Sequence, residues 1–515
     1  MLAITVNKYF FSRLFPTTSF LKEVFIIFFM SNLKSRLMEW NTGEIFRGPL
    51  KIQENLLKKI IKENENTSYG KRNSFSKIDS INAFQERVPI IEYSSIEEEI
   101  NLIKEGEENI LTRDPIVYFA TTSGTTSQSK FIPLTEKRYP DFIYENQFWF
   151  GYAIKQANEA LSGKILYFTG NKEEGVTEEG IPYGPISGFV ASKQKKRLKD
   201  KVATSNRVLE AKDFNEKMEI MADETLSQDI RTIAFSYPIE IILFHKYLKE
   251  TKGIEKLKDI WPNLSLVGCF KKSLEDSQLE NILGKGVCIQ DHGIRASEGT
   301  ISIGYSGKGR AGIPAIQQTF LEFLEEDSKD SNSVKLINEL EENKRYNVLL
   351  TTFDGLYRYN IKDIVKVVGR KGKLPLLDFE GRSNTLDING EHSPYYQIEV
   401  AVKKAQKDSG IQFEDYTVFP NKENLVPYYE IVLGGEETSP EKTRDFLEEF
   451  DNNMKSNVSS YKRMRNEWSR LDFPKATLIH SEKYDNLNKE RIIREGQPKH
   501  IHVSENLKLK DRLLQ

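Results

Sequence analysis

Short apolar runs alternate with segments of helical periodicity through most of this 515-residue chain. The pattern predicts an α/β body of mixed sheets and helices, followed by a smaller α+β domain. Three observations carry that prediction. Ile116-Val-Tyr-Phe119, Lys164-Ile-Leu-Tyr-Phe-Thr169, Leu264-Ser-Leu-Val-Gly268 and Val287-Cys-Ile-Gln290 are rich in β-branched and aromatic residues and read as short buried strands. Helical spacing separates them. The alternation breaks at Asn389-Gly-Glu-His-Ser-Pro394, beyond which a compact helix, strand pair and helix follow. The length suits two or more domains with ample core. The expected division is 1–30 as an extension of distinct character, 31–388 as the large domain and 389–515 as the small one.

In chain order, residues 1–30 carry no acidic residue before Glu23 and end in Val24-Phe-Ile-Ile-Phe-Phe-Met30. That run is too short to span a bilayer as a helix, and no convincing small-residue cleavage site follows it. It fits a packed or dispensable helix, or a start upstream of Met30 or Met38. Leu56, Leu57, Ile60 and Ile61 predict a helix over Gln53–Lys62, and a second covers Ser80–Arg87, closed by Pro89. An acidic helix is expected around Ile96–Lys104 and an aromatic-rich one over 136–161. Gly180-Ile-Pro-Tyr-Gly-Pro-Ile-Ser-Gly-Phe189 reads as a long turn, whose Tyr183 and Phe189 are candidates to wall an apolar pocket. Helices are predicted around Asp213–Thr225 and Ile239–Leu248, and strands over 316–323 and 346–352. Tyr357–Arg370 reads as strand–turn–strand. Past the break come a helix (Gln397–Lys407), strands near Thr417–Phe419 and Tyr428–Leu433, a helix from Glu441 to about Asn453, and a basic tail.

Composition excludes several classes. A formal net charge of −2, from 74 basic and 76 acidic residues, gives no reason to expect nucleic acid or an anionic membrane as partner. The basic run Lys193-Gln-Lys-Lys-Arg-Leu-Lys199 reads as a solvated helix face. Two cysteines, Cys269 and Cys288, without a CxxC motif or Cys/His clustering, argue against a disulfide framework or a structural zinc and suit a reducing cytosol. Oligomeric state is open.

The stretch with most chemistry is Phe119-Ala-Thr-Thr-Ser-Gly-Thr-Thr-Ser-Gln-Ser-Lys-Phe-Ile-Pro133. Its hydroxyl side chains would lack partners in a core. As a loop it can turn backbone N–H groups and hydroxyls onto an anion, with Lys130 adding a mobile charge for a polyphosphate. The Walker spacing is absent. Gly293-Ile-Arg-Ala-Ser-Glu-Gly299 offers a carboxylate, Glu298, suited to Mg²⁺ that bridges phosphates; the alternative is a helix N-terminus complemented by Ser297 and Glu298. Asp363, after Tyr357-Arg-Tyr-Asn-Ile-Lys362, can accept both hydroxyls of a ribose, or pair at the surface with Arg358 or Lys362. Arg382 could clamp a nucleotide or tie the domains together. Lys499, in Gly496-Gln-Pro-Lys-His500, is by composition part of an ordinary tail loop.

The order and spacing of these stretches resemble the auxin-responsive-promoter family of acyl-acid amido synthetases, a branch of the adenylate-forming enzymes. The resemblance runs from about Gln53 to Lys499. It rests on Phe84-Gln-Glu-Arg-Val-Pro-Ile-Ile-Glu-Tyr93, Thr122-Ser-Gly-Thr-Thr126 with Lys130 and Pro133, Ala296-Ser-Glu-Gly299, Phe320-Leu-Glu-Phe323, and Gly355-Leu-Tyr-Arg-Tyr359 with Asp363. The segment 180–189 is more similar to bacterial than to plant members.

The resemblance implies a large N-terminal adenylate-forming domain, a small mobile C-terminal domain, and chemistry at their cleft. ATP and Mg²⁺ would activate a carboxylic acid to an acyl-adenylate, and an amine, an amino acid above all, would take the acyl group. Thr122, Ser123, Gly124, Thr125 and Thr126 would hold the departing phosphates with Lys130 nearby; Ser297 and Glu298 would face the nucleotide, with Glu298 on the metal. Asp363 would fix the ribose, Arg382 would stand at the domain junction, and Lys499 would reach the α-phosphate. Three positions depart from the family. Lys362 replaces the usual glycine and would strain a left-handed turn by about 1–2 kcal/mol. His500-Ile501 replaces a basic pair, and Val267-Gly-Cys-Phe-Lys-Lys272 lacks the pattern expected beside adenine. The rival readings are an acyl-CoA ligase and a nucleotide-binding relative without catalysis.

Overall fold

The computed structural model describes residues 43, 45–122, 130–153, 155–167, 173–187, 189–190, 201–211, 213–234, 238–270, 276–305, 310–325, 334–388, 391, 393–422, 424, 426–436, 438–467, 471–495 and 500–515. The N-terminal run, the basic run 193–199, residues 123–129 and Lys499 lie outside them.

The helix Pro49–Glu63 begins with proline in its first turn, where the missing N–H has no intrahelical partner to lose. Leu56, Leu57, Ile60 and Ile61 form its buried face. Gln53 on the same face pins the helix to the centre: its amide donates to Ile316 O and Thr319 O at 2.7 and 2.8 Å and accepts from Leu321 N at 2.7 Å. The helix Ile81–Arg87 starts where expected, with the Ser80 hydroxyl accepting from Ala83 N at 3.2 Å.

Strands β1 (Ile116–Thr122) and β2 (Lys130–Thr135) pair antiparallel. β3 (Lys164–Tyr167) belongs to a second sheet, while β4 (Gly175–Val176) and β5 (Pro182–Gly184) complete the first in the order β2-β1-β5-β4. β6 (Ile230–Ala234), β7 (Leu266–Cys269) and β8 (Cys288–Asp291) join β3 in a parallel sheet, β3-β6-β7-β8. The helices Phe214–Thr225 and Pro238–Lys252 supply its crossovers. A seven-stranded antiparallel sheet follows: β9 (Ser302–Gly304), β10 (Gly312–Pro314), β11 (Phe320–Glu325), β12 (Val334–Lys335), β13 (Arg345–Thr351), β14 (Tyr359–Lys371) and β15 (Leu374–Arg382). The C-terminal part has a two-stranded ribbon, β16 (Thr385–Leu386) with β17 (Ser393–Pro394), and a sheet of β18 (Asp415–Asn421), β19 (Tyr428–Gly434) and β20 (Lys475–Ile479). The helices Tyr395–Ser409 and Pro440–Asn457 pack against one another beside that sheet. The mixed α/β class is therefore as expected. No helix among the described residues is long and apolar enough to cross a membrane.

Several local expectations need correction. The aromatic helix spans Arg138–Ala153, and residues 155–163 are turns, because Gln156–Gly163 contains too few large apolar side chains to hold a helical face. The 180–189 segment is no simple turn, since it contributes β5, parallel to β1. Residues 316–319 are a turn preceding β11. The stretch predicted as strand–turn–strand over Tyr357–Arg370 is one bulged strand, Tyr359–Lys371; Asn360, Lys362 and Asp363 read as turn residues, but a bulge absorbs them without leaving the sheet. The basic tail is ordered into β20 and the helices Ser481–Glu495 and Leu507–Leu514. Leu386 and Ile388, expected in the large domain, pack into the C-terminal core.

Candidate active site

β1 is apolar on both faces, with Tyr118, Phe119 and Ala120 buried. Its end is paired so that Thr122 stands opposite Lys130, which leaves residues 123–129 as the connection between the strands. Ser123, Gly124, Thr125 and Thr126 lie outside the described residues, as does the Thr122 side chain. The half-buried Lys130 places Nζ 5.6 Å from the Tyr93 ring centroid, and the Tyr93 hydroxyl accepts from Phe131 N at 3.0 Å. Burial pushes the Tyr93 phenol up.

The two aromatic candidates sit on the other side of β1. Tyr183 lies in β5, paired with Phe119, with its ring 5.1 Å from Phe131. Phe189 is buried, 4.7 Å from Tyr118. Phe189 is thus part of the core, while Tyr183 is half-buried.

Tyr93 reaches this place because Ile91 docks as a one-residue strand beside β14. Asn360 N donates to Ile91 O at 2.8 Å, and Ile91 N to Arg358 O at 3.2 Å. Glu92 then meets the Lys362 ammonium. Lys362 has φ of 63°, so the left-handed backbone anticipated for the position usually held by glycine is present. It lies in the bulge between Asn360 and Ile364, and its N–H donates to Asn360 Oδ1 at 3.0 Å. The bulge sets the buried Asp363 opposite Arg382 in β15, with Arg382 Nε 3.3 Å from Asp363 Oδ1. The sequence alternatives for Asp363, Arg358 and Lys362, are corrected: both have other carboxylates.

Arg358 is held by Glu322, with Nε at 3.1 Å, and Nη1 donates to Gln85 O and Val88 O at 2.9 and 2.8 Å. Gln85 Nε2 donates to Glu322 Oε1 at 3.0 Å. Three of the stretches that carried the family resemblance are therefore bound together by one guanidinium. Burial pushes the Glu322 carboxyl up, and Arg358 opposes that shift.

Ser297 and Glu298 lie in a tight turn, not at a helix N-terminus. Arg295 bridges Thr300, and Ala296 and Gly299 exchange backbone hydrogen bonds of 3.0 and 3.2 Å. Gly293 (φ +88°) allows the return: a Cβ there would lie 2.4 Å from Ser302 O. Both Ser297 and Glu298 are half-buried. What links the site is Tyr359, 1% exposed, whose phenol is raised by burial first and then by Glu298, Tyr93 and Glu92, while Arg382 opposes them. Glu298, Arg382 and the Tyr93 ring beneath Lys130 thus share one electrostatic neighbourhood.

Tyr359, Tyr93 and Glu92 are site residues that sequence reasoning missed as chemistry. Their only signal was membership of the motif stretches, since nothing local tells that residue 91 pairs with residue 359. Lys499 lies outside the described residues, but the following chain runs along β18: His500 Nδ1 is 2.9 Å from Asp415 Oδ2, and Val418 N donates to His502 O at 2.8 Å.

Among the described residues no cluster of three or more His, Cys, Asp or Glu could hold a metal by itself. One carboxylate with phosphate oxygens is nevertheless a fitting donor set for Mg²⁺, which keeps much of its water.

The GH3 family N-terminal domain matches residues 43–260, the GH3 family central domain 312–382 and the GH3 family C-terminal domain 396–508. The indole-3-acetic acid-amido synthetase GH3.2 of Arabidopsis thaliana is 22% identical, over 84% of this chain and 95% of its own. The jasmonoyl--L-amino acid synthetase JAR6 of Nicotiana attenuata is 24% identical, over 78% and 81%. Among solved structures, AtGH3.15 acyl acid amido synthetase in complex with 2,4-DB superposes with a TM-score of 0.81 at 17% identity, over 93% of this chain and 96% of that one. A 2-hydroxyisobutyryl-CoA ligase gives 0.54 at 11% identity, over 89% and 90%. These structural likenesses show a fold shared with adenylate-forming enzymes.

Proposed function

The chain belongs to the GH3 family, and we propose on that premise that it activates a carboxylic acid with ATP and passes the acyl group to the amine of an amino acid. It is an amido synthetase, a carbon–nitrogen ligase that forms an amide through an acyl-adenylate. The observation that carries the reading is the meeting of Lys130, Glu298 and the Asp363–Arg382 pair of β14–β15 around Tyr359, from three separate stretches of the chain.

Attack of a carboxylate on the α-phosphate gathers negative charge, so placed donors and cations do more than a general base would. Lys130 and the hydroxyl-rich connection stabilise the leaving phosphates. Asp363 accepts the ribose hydroxyls and is held ready by Arg382 across the β14–β15 pair. Ser297 borders the nucleotide, and Glu298 is the carboxylate that would hold Mg²⁺, which when bound supplies charge neutralisation for the phosphates. Half-buried Tyr183, rather than the core residue Phe189, borders the acyl group. Lys499 serves the α-phosphate when the C-terminal domain closes.

We set the domain division slightly before the expected 388/389. Ser383 N donates to Lys362 O at 2.8 Å on the large-domain side, whereas Asn384 O accepts from Tyr395 N at 2.7 Å on the small-domain side. We therefore place the turning point between Ser383 and Asn384. Neither cysteine is in a disulfide, in keeping with a reducing cytosol.

The test is pyrophosphate release over a panel of carboxylic acids, followed by mass analysis of products with mixed amino acids and with coenzyme A. Amide with an amino acid is expected. Thioester in place of amide would make it an acyl-CoA ligase, and absence of pyrophosphate with every acid would leave a non-catalytic relative.

A further inference from the structure

The helix Arg138–Ala153 buries Arg138, Phe142, Glu145 and Trp149, spaced along one face. Trp149 fixes that face against the segment leading into the Glu298 turn: its Nε1 donates to Asp291 O at 2.7 Å, and its ring lies 4.7 Å from His292. Between the two elements stand charged groups that no packing argument explains. Arg295 Nη1 donates to Asn146 Oδ1 at 2.9 Å, but its Nε and Nη2 are shut off from solvent without a hydrogen bond. Both carboxylate oxygens of Glu145, 0% exposed, are in the same condition. Glu145 is close enough for its charge to counter the effect of burial on Arg295, yet the two do not touch.

Nε and Nη2 form one edge of a guanidinium, which offers two parallel donors to a single acceptor group. A donor edge and an acceptor pair, both shut off from water and within reach of each other's charge, call for an occupant that can accept and donate. Charge balance narrows the choice. Arg138 stands beside Asp354 at 4.0 Å, and Arg295 feels both Glu145 and Asp291, so the carboxylates already match or outnumber the guanidiniums and a further full anion would meet no spare positive charge. Arg295 is three residues from Glu298, at most about 11 Å along the chain, within the span of a short acid.

We propose that Arg295 and Glu145 select the acid substrate by its far end, favouring acids that carry a neutral donor–acceptor group such as a carboxamide or hydroxyl over purely apolar ones. This rests on the ligase reading above. Arg295 contributes the donors, Glu145 the acceptor, and Asn146 holds the guanidinium plane.

The experiment compares acids of equal length ending in methyl, carboxamide or carboxylate. It measures both kcat/KM for pyrophosphate release and Kd by calorimetry, for the native protein, Arg295→Met and Arg295→Lys. The carboxamide acid should be preferred over the methyl acid by about 10–100-fold, a ratio that falls to near unity in Arg295→Met. Arg295→Lys keeps the charge but not the fork, so it should lose most of the preference while folding. A native preference for the methyl or the carboxylate acid, or a preference that survives both substitutions, would overturn the proposal. Arg295-dependent binding without pyrophosphate from any acid would sink the ligase reading alone.

Discussion

Lys362 shows how a single residue can depart from a family habit at little cost. A left-handed backbone costs a lysine about 1–2 kcal/mol. Glycine would remove that strain, but would give back up to about 1 kcal/mol in unfolded-chain entropy and lose the partly exposed Glu92 contact, worth at most about 1 kcal/mol. The terms nearly cancel. Lys362→Gly should therefore leave stability within about 1 kcal/mol of native, whereas Lys362→Val, β-branched at positive φ, should lose about 2 kcal/mol more than the glycine variant. Urea unfolding of both variants measures the difference, and equal losses would mean that the bulge relaxes. Arg358, also at positive φ (47°), is different: it is buried against Glu322, so its partners rather than its backbone decide its conformation.

The helix Arg138–Ala153 carries an unusual load of charge on its buried side, and Asp141 in its first turn registers it. Burial pushes the Asp141 carboxyl up to about 7, with Glu145 and Asp354 adding to the shift and Arg138 opposing it. Since the folded value lies above the ordinary 3.8, the folded protein retains a proton between those two values that the unfolded chain has released. Stability contributed by the protonated group is thus full below about pH 4 and declines as pH rises toward 7. Asp141→Asn removes this slope. It should gain about 1–3 kcal/mol on the native protein between pH 5 and pH 8 in denaturant titrations. A stability difference that stays constant across that interval would place Asp141 in water.

At the scale of the molecule, the C-terminal part is not independent of the body. The helix Ser481–Glu495 buries Ile492 in the core of the parallel sheet, and Lys246 reaches Asp485 at 2.6 Å. The closure proposed about Ser383–Asn384 would exchange these contacts for others. Lys499 follows that helix in sequence, and under the proposed mechanism its reach to the nucleotide depends on domain position. A cation there matters while charge builds on the phosphate and much less once the adenylate exists. Lys499→Ala should nearly abolish pyrophosphate release, yet still form amide from preformed acyl-adenylate and an amino acid at a substantial rate. Equal loss of both half-reactions in a folded variant would make Lys499 a structural or acceptor-site residue.

The sequence alone determined what is local. β1, the helix Pro49–Glu63 and the start of the helix after Ser80 follow from apolar periodicity and residue type within a few residues. The polar residues of the family motifs, among them Lys130, Glu298 and Asp363, stood out because their chemistry does not suit a core. Only the tertiary structure decided which of these segments meet. Glu92 with Lys362, Asp363 with Arg382, Arg358 with Glu322 and Gln85, and Arg295 beside Glu145 all join separate elements. A bulge in β14, with Ile361, Lys362 and Asp363 opposite the single Val348 of β13, aims Asp363, and no period of two or 3.6 announces a bulge. Backbone preference acts over a few residues and can be read there; pairing between distant segments is settled by burial and charge in the folded core, where the neighbours are set by the whole chain.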